Sequence, residues 1–141
     1  FVGMTNRGWS SLGNRSYGLQ RIRQVGDVAF AIREMRAKPD GFELSFTEPV
    51  DPKVAGDVNA YSMKSYTYLY SGAYGSDEIE TRTHAIRSAT VSDDGLSVRL
   101  QVDSLRPIYV HELHADGVRS AQGAPLLYPA AYYTLNRIPK A

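Results

Sequence analysis

Strict alternation of apolar and polar residues follows each of two Asp-Gly pairs in the chain. After Asp40-Gly41 the apolar positions are 42, 44 and 46, and after Asp94-Gly95 they are 96, 98, 100 and 102. A period of two predicts a β-strand, and Asp-Gly suits the tight turn that precedes it. Each pair therefore predicts a hairpin, whose first strand lies at about 29–37 or 85–92. The residues predicted to face inward are Phe42, Leu44, Phe46, Leu96, Val98, Leu100 and Val102.

Three further segments predict strands, at about 60–70, 107–115 and 131–138, because they are rich in β-branched and aromatic residues. Between them, "TEPVDPKVAGDVN" and "GVRSAQGAPLLYP" are interrupted by glycine, proline, aspartate and asparagine. A single helical turn fits at 52–57, and no long stretch has a 3.6-residue period. The pattern predicts an all-β fold, an antiparallel β-sandwich of about seven strands.

The first 25 residues have a different character. Glycine recurs at 3, 8, 13 and 18, and the segment holds the single tryptophan, Trp9. No Gly-Lys-Ser/Thr follows, so the glycines do not form a phosphate loop. We expect an irregular N-terminal arm over 1–25, with a short strand near 18–24, and a sandwich domain over 26–141.

Composition excludes several classes of function. The formal charge is +1 with both signs interspersed, whereas nucleic-acid binders usually carry a basic stripe. No apolar run reaches the roughly 18 residues that span a bilayer. The absence of cysteine excludes disulfides, thiolate catalysis, cysteine-bound zinc and covalent c-type haem. The chain opens on Phe1 without an initiator methionine or signal peptide, and we expect it to be an excised part of a larger protein.

The histidines do not predict a metal site. "HELH" places His111 and His114 on either side of Glu112, and residues three apart on a strand point to opposite faces. A zincin motif needs a spacing of four on a helix. We therefore expect His111 and His114 to be ordinary, partly exposed strand residues. His84 has no evident partner in the sequence.

No catalytic or cofactor-binding set emerges either. Asp77, Glu78 and Glu80 are compatible with a weak calcium loop or with half of an acid–base pair, but their spacing does not match an EF-hand. We expect a solvated acidic loop. No nucleophile–base arrangement follows from spacing, so the sequence predicts a domain that is not an enzyme.

A cluster of tyrosines is the main candidate for binding. Tyr66, Tyr68 and Tyr70 alternate with other residues and should share one strand face. Three roles are open: covering the core, contacting a protein or another domain, and stacking on a sugar. The odd step from Tyr61 places that residue on the opposite face, so we expect Tyr61 in the core and the other three in an exposed stripe. With Tyr74 in "GAYGS" and with Trp9, these form the candidate interaction surface Tyr66, Tyr68, Tyr70, Tyr74 and Trp9.

Two resemblances extend this interpretation. The stretch "FELSFTEPVDPKVAGDVNAY" (42–61) resembles the opening of bacterial Ig-like domains of the SbsA/SwmB type, with their "F-x-x-P-V-D" turn and "N-x-Y". "SDDGLSVRLQVD" and "YVHELHADGVRSAQGAPL" are similar to that family's closing hairpin and its return, so the match covers roughly 29–136. The resemblance implies an Ig-like sandwich in which Tyr61 is a buried aromatic.

The arm "FVGMTNRGWSSLGNRSYGLQRI" resembles the end of a six-bladed propeller of the glucose/sorbosone dehydrogenase type. The whole chain is similar to the segment after that propeller in large planctomycete-type proteins that also contain a cytochrome c domain. This resemblance implies an exported parent, periplasmic or extracellular, that oxidises a sugar or alcohol, with pyrroloquinoline quinone as a possible cofactor of the parent. None of the parent's catalytic or haem-binding motifs lies in this chain. The implied partners are the propeller-like and cytochrome-like neighbours, with carbohydrate as the alternative ligand of the tyrosines.

Overall fold

The computed structural model describes residues 1–4 and 17–140 and shows an antiparallel β-sandwich. In chain order the strands are β1 (Val2–Met4), β2 (Gly18–Gln20), β3 (Ile32–Lys38), β4 (Gly41–Phe46), β5 (Ser62–Tyr68), β6 (Glu78–His84), β7 (Ile86–Val91), β8 (Ser97–Val102), β9 (Tyr109–His114) and β10 (Ala130–Leu135). One sheet of the sandwich has the strand order β10-β9-β5-β6 and the other has the order β3-β4-β8-β7. The predicted sandwich is confirmed, with eight strands in its two sheets rather than about seven.

Both predicted hairpins are present. Strands β3 and β4 pair around Asp40, with Lys38 opposite Gly41, and β7 pairs with β8 around Asp94-Gly95. Gly95 has a φ of 69°, a backbone conformation that glycine adopts without steric cost. The Asp94 carboxylate accepts the N–H of Leu96 at 2.9 Å. Local turn chemistry thus aligns the strands of the second sheet.

The core lies between β4 and β8 on one side and β5, β9 and β10 on the other. Six of the seven residues predicted to face inward are buried, and the exception is Leu96, which is 39% exposed. Leu96 precedes β8 and still belongs to the turn, so the alternation of the strand does not yet apply to it. The most completely buried large apolar residues are Phe42, Leu44, Leu100, Leu113 and Leu135.

A short helical segment closes one end of the sandwich. Helix α1 (Pro52–Ala55) is capped at its N-terminus by Asp51, whose side chain accepts the N–H of Lys53. A 3₁₀ turn (Val58–Ala60) follows. Tyr61 comes next, is 7% exposed, and donates its hydroxyl to the carbonyl of Ala55 at 2.7 Å. The helical turn predicted at 52–57 and the core position of Tyr61 are both confirmed.

The two open edges of the sandwich are built differently. At one edge β6 leads directly into β7, so the chain passes from one sheet to the other within a residue. At the other edge β3 and β10 lie side by side: the N–H of Leu127 donates to the carbonyl of Phe30 at 2.9 Å, just before each strand begins.

The N-terminal residues form a separate two-stranded sheet. Strand β1 (Val2–Met4) pairs antiparallel with β2 (Gly18–Gln20). Strand β2 falls within the short strand predicted near 18–24. Trp9 lies outside the described residues, and the division of the chain at residue 25 stays a prediction.

Candidate functional site

The tyrosine cluster is divided between a covered face and an exposed tip. In β5, Met63 and Ser65 point into the sandwich and Lys64 and Tyr66 point outward, and a register shift between Ser65 and Thr67 marks a bulge. Tyr68 follows on the outer side and is 50% exposed. The predicted orientation is therefore confirmed: Tyr61 faces inward and Tyr66 faces outward.

The predicted exposure of Tyr66 is wrong. Its side chain is only 4% exposed, because neighbours on the outer face cover it. The ring of Tyr68 packs edge-on against it at 5.5 Å between centroids, and the Lys64 ammonium lies 4.9 Å from the Tyr66 ring centre. Burial raises the pKa of the Tyr66 phenol above its ordinary value. Tyr66 is therefore a structural residue of the outer face and is not available to a partner.

The exposed tip is the connection between β5 and β6. Tyr70 and Tyr74 are completely exposed, and Leu69 is 64% exposed. Tyr68, Leu69 and Tyr70 line a shallow depression together with Ser71 and Ser76. We call Tyr68, Leu69, Tyr70 and Tyr74 the tyrosine tip.

A chain of charged side chains lies on the outer face beside the tip. The Lys64 ammonium is 2.8 Å from Glu78 and 3.2 Å from Glu112, and Glu112 is 2.7 Å from Nε2 of His114. The hydrogen bond with Glu78 is the main cause that raises the pKa of Lys64, followed by the one with Glu112. Burial raises the pKa of the Glu112 carboxyl, but hydrogen bonds from His114 and Lys64 outweigh it and lower the net value.

Two of the three clustered acidic residues are strand residues rather than members of a solvated loop. Glu78 and Glu80 belong to β6, which the sequence pattern did not predict. Glu78 binds Lys64, while Glu80 pairs with Arg106 at 3.3 Å and accepts the Tyr109 hydroxyl. Strand β6 is an edge strand with exposed, charged side chains, so it has little of the apolar alternation by which strands are detected.

The histidines of "HELH" separate as their spacing predicts, but His111 is not partly exposed. His114 lies on the outer face with Glu112, whereas His111 is fully buried. One sequence signal could have revealed this, because His111 lies two residues before Leu113 and must share its inward face. Within residues 1–4 and 17–140 no group of three or more histidine, cysteine or acidic residues is placed to hold a metal ion.

A buried polar cluster that sequence reasoning missed surrounds His111. Ser65 Oγ lies 2.7 Å from Nε2 of His84, and Nδ1 of His84 lies 2.9 Å from the backbone carbonyl of Asp103. This arrangement resembles part of a nucleophile–base pair. However, Ser65 has no exposed surface and Arg106 also donates to its Oγ at 3.3 Å. No substrate atom can reach this hydroxyl in the folded domain, so the cluster is structural as it stands.

Comparison with known proteins gives a fold and no family. No family model matches the chain, and no curated protein matches it. Among solved structures it is similar to domains 1–6 of the surface layer protein SbsC, with a TM-score of 0.59 and 17% identity. The alignment covers 81% of this chain and 14% of that one. The N-terminal part of SbsC gives the same TM-score and identity, over 77% of this chain and 24% of that one. The chain thus spans a small part of the proteins whose fold it shares.

None of the helices among the described residues is long and apolar enough to cross a membrane.

Proposed function

We propose that this chain is a non-catalytic, Ig-like module of a larger exported bacterial protein, and that it contacts a neighbouring domain through the tyrosine tip. The observation that carries the proposal is the exposure of Tyr68, Leu69, Tyr70 and Tyr74 together at one end of the sandwich. Tyrosine is enriched at protein interfaces because its large ring buries area while its hydroxyl keeps a hydrogen bond. An isolated domain gains nothing from holding these rings in water.

Two observations on the described residues support a role other than catalysis. The Ser65–His84 pair is buried, and the Glu78 and Glu112 carboxylates of the outer face are held in ion pairs with Lys64. The similarity of the fold to SbsC domains 1–6 supports a module within a multidomain cell-surface protein. An extracellular or periplasmic location belongs to the same proposal.

The neighbour that we propose is a propeller-like domain, with a cytochrome c-like domain elsewhere in the same parent. The support for it is the resemblance of residues 1–22 to the end of a dehydrogenase-type propeller. The parent's oxidation of a sugar or alcohol would then take place outside this module.

Replacing the exposed rings tests the interdomain role. In the full natural chain, Tyr70→Ser with Tyr74→Ser should increase the rate of proteolysis between this domain and its neighbour. The melting temperature of the isolated domain should not change, because neither ring contacts the fold. Tyr128→Ser with Tyr132→Ser is the matched control, since these tyrosines are 72% and 59% exposed elsewhere on the surface. Equal proteolysis of all three proteins would refute the contact.

Carbohydrate binding is the second candidate, favoured by one observation. Tyr68 is half-exposed and lies directly opposite Glu78 in the β5–β6 register, beside the Lys64–Glu78 ion pair. An aromatic ring can stack on the face of a sugar, and charged groups beside the ring can hydrogen-bond the sugar hydroxyls. Isothermal titration with soluble glucans and xylans would show binding that Tyr68→Ala removes. Absence of heat with every glycan would leave the interdomain role alone.

A further inference from the structure

Two buried histidines pack against each other, with their rings tilted, on the inner side of one sheet. His84 in β6 is 5% exposed and His111 in β9 is fully buried. Their ring centres are 5.4 Å apart at an interplanar angle of 33°, and the Phe42 ring packs on His111 at 5.3 Å. Two imidazoles in contact inside a sandwich are a feature that the proposed docking function does not use.

The hydrogen bonds of His111 are compatible only with its neutral form. Its Nδ1 lies 3.2 Å from the carbonyl of Tyr109, which can only accept, so Nδ1 carries the hydrogen. Its Nε2 accepts the backbone N–H of Arg106 at 3.3 Å. A proton on Nε2 would place two donors face to face and would break the bond to Arg106.

His84 is held in the same tautomer. Its Nδ1 donates to the carbonyl of Asp103, and its Nε2 accepts the Ser65 hydroxyl. Protonated His84 could still donate to Ser65 Oγ, so His84 would tolerate a proton better than His111. However, the charge would lie 5.4 Å from the other ring.

The charged groups around the pair oppose protonation. Arg82 and Glu80 come from β6, Arg106 and Asp103 come from the connection between β8 and β9, and Tyr109 comes from β9. Strands β5 and β4 contribute the neutral Ser65 and Phe42.

No carboxylate within the described ranges reaches either ring. Glu80 is engaged by Arg106 and Tyr109, and Asp103 directs its carboxylate to Arg87. Burial is the main cause that lowers the pKa of both imidazoles, that of His111 to about 4, and the positive charge of Arg106 acts in the same direction.

Arg106 connects the histidines to the rest of this edge. The backbone N–H of Arg106 donates to His111. The guanidinium of Arg106 donates to the carbonyl of Glu80 at 2.7 Å and stacks 3.5 Å over the Tyr109 ring. The connection that carries it, residues 103–108, includes Ser104 and Ile108 at φ values of 55° and 71°. Such backbone is strained in residues other than glycine and is held only by its surroundings.

We infer that His84, His111 and Arg106 form an acid-sensitive latch that holds the 103–108 connection and strand β6 on the sandwich, and that protonation of His111 opens it. The rest of the sandwich, which includes the β3–β4–β8 core, has no buried histidine and stays closed. The latch would make one edge of the domain mobile in mildly acidic surroundings.

The sign of the pH effect follows from the lowered pKa. The unfolded chain binds a proton at about pH 6.5, above the pH at which the folded domain does, so stability is complete above that pH and falls as the pH drops toward 4. For His111 alone, the ratio of closed to open forms should fall on the order of 50- to 100-fold between pH 7.5 and 4.5. Hydrogen bonds from Ser92 and Arg87 lower the pKa values of Asp94 and Asp103 respectively. Their stabilising contribution is lost only as the pH falls through the ordinary aspartate pKa of about 3.9 and below it, so most of it remains at pH 4.5.

Hydrogen exchange of the domain at pH 7.5 and 4.5, corrected for intrinsic rates, tests the latch. Residues 78–84 and 103–108 should lose protection at pH 4.5 while β4 and β8 keep it. In His111→Gln, the protection of these two segments at pH 4.5 should equal the protection that the same variant shows at pH 7.5. His114→Gln, which alters the partly exposed histidine of the same strand, should behave like the wild type.

Three results would overturn the inference. The first is a loss of protection in acid that is uniform over the sandwich. The second is the same acid response in His111→Gln as in the wild type. The third needs no variant, and so holds even if His111→Gln fails to fold: an NMR titration in which both buried imidazoles of the wild type protonate near pH 6.5.

Discussion

A graded series of tyrosine substitutions should separate the structural rings from the docking rings. The four positions are Tyr66, Tyr68, Tyr70 and Tyr74, which are 4%, 50%, 102% and 106% exposed. Each is replaced by alanine in turn in the isolated domain. The expected loss of stability follows the buried fraction of each ring and not its place in the sequence.

The magnitudes follow from the contacts. A buried aromatic replaced by alanine costs about 3–5 kcal/mol in a closed core. Tyr66 lies under Tyr68 and Lys64 on the outer face, where water can enter the space left behind, so we expect about 2–3 kcal/mol. Tyr68→Ala should cost about 1 kcal/mol, for half a ring and one edge-on aromatic contact. Tyr70→Ala and Tyr74→Ala should each stay within about 0.5 kcal/mol of the wild type.

Urea unfolding measures the series, with the m-values compared to ensure that each variant unfolds in one transition. The double variant Tyr66→Ala/Tyr68→Ala should cost less than the sum of the two singles, by about 1 kcal/mol, because the second substitution finds the ring contact already lost. Two results would contradict the covered position of Tyr66: a Tyr66→Ala variant as stable as Tyr74→Ala, or stability losses that add in the double variant. Tyr66 would then be an uncovered residue of the stripe that its alternation with Tyr68 and Tyr70 predicts.

Two further substitutions test the packing that supports the site. Tyr61→Phe removes the hydroxyl that donates to Ala55 at 2.7 Å and should cost about 1 kcal/mol in urea unfolding, and a neutral result would contradict that bond. Gly41→Ala should abolish folding or cost more than about 3 kcal/mol, because a Cβ there would lie 1.9 Å from the carbonyl oxygen of Leu100. In contrast, Gly72→Ala, whose Cβ would meet nothing within 4 Å, should leave the circular dichroism melting curve nearly unchanged.

The sequence predicted the parts of the fold in which local chemistry and burial agree. Phe42, Leu44, Val98 and Leu100 alternate on strands with one face in the core, and the turns beside them have residues that suit them. Strand β6 was missed because its side chains are charged and mostly exposed. Only its pairing with β5 makes it a strand, and backbone pairing at an exposed sheet edge requires no apolar period in the sequence.

For the candidate site, the sequence predicted which face of the strand each tyrosine lies on, but not how deeply each ring is buried. Alternation correctly placed Tyr66 on the outer face, but whether an outward ring is exposed depends on the side chains that cover it. Here they are Lys64 and Tyr68, and the position of Lys64 is fixed by Glu78 and Glu112 on two neighbouring strands. The buried pair of His84 and His111 was missed because the two rings touch although their residues lie 27 positions apart in the sequence.

The side-by-side arrangement of β3 and β10 determines how the domain would carry force. Phe30 and Leu127 are hydrogen-bonded just before the two strands begin, so the chain enters the sandwich at one end of this edge and leaves β10 at the other. Six residues at about 3.3 Å each place these points roughly 20 Å apart along the strands. Tension between them would pull β3 along β4 and β10 along β9, and the ladder hydrogen bonds of each pair would be loaded together in shear. Opening them one after another, as in a zip, would require tension across the strands, so the sandwich is oriented to resist stretching of the chain.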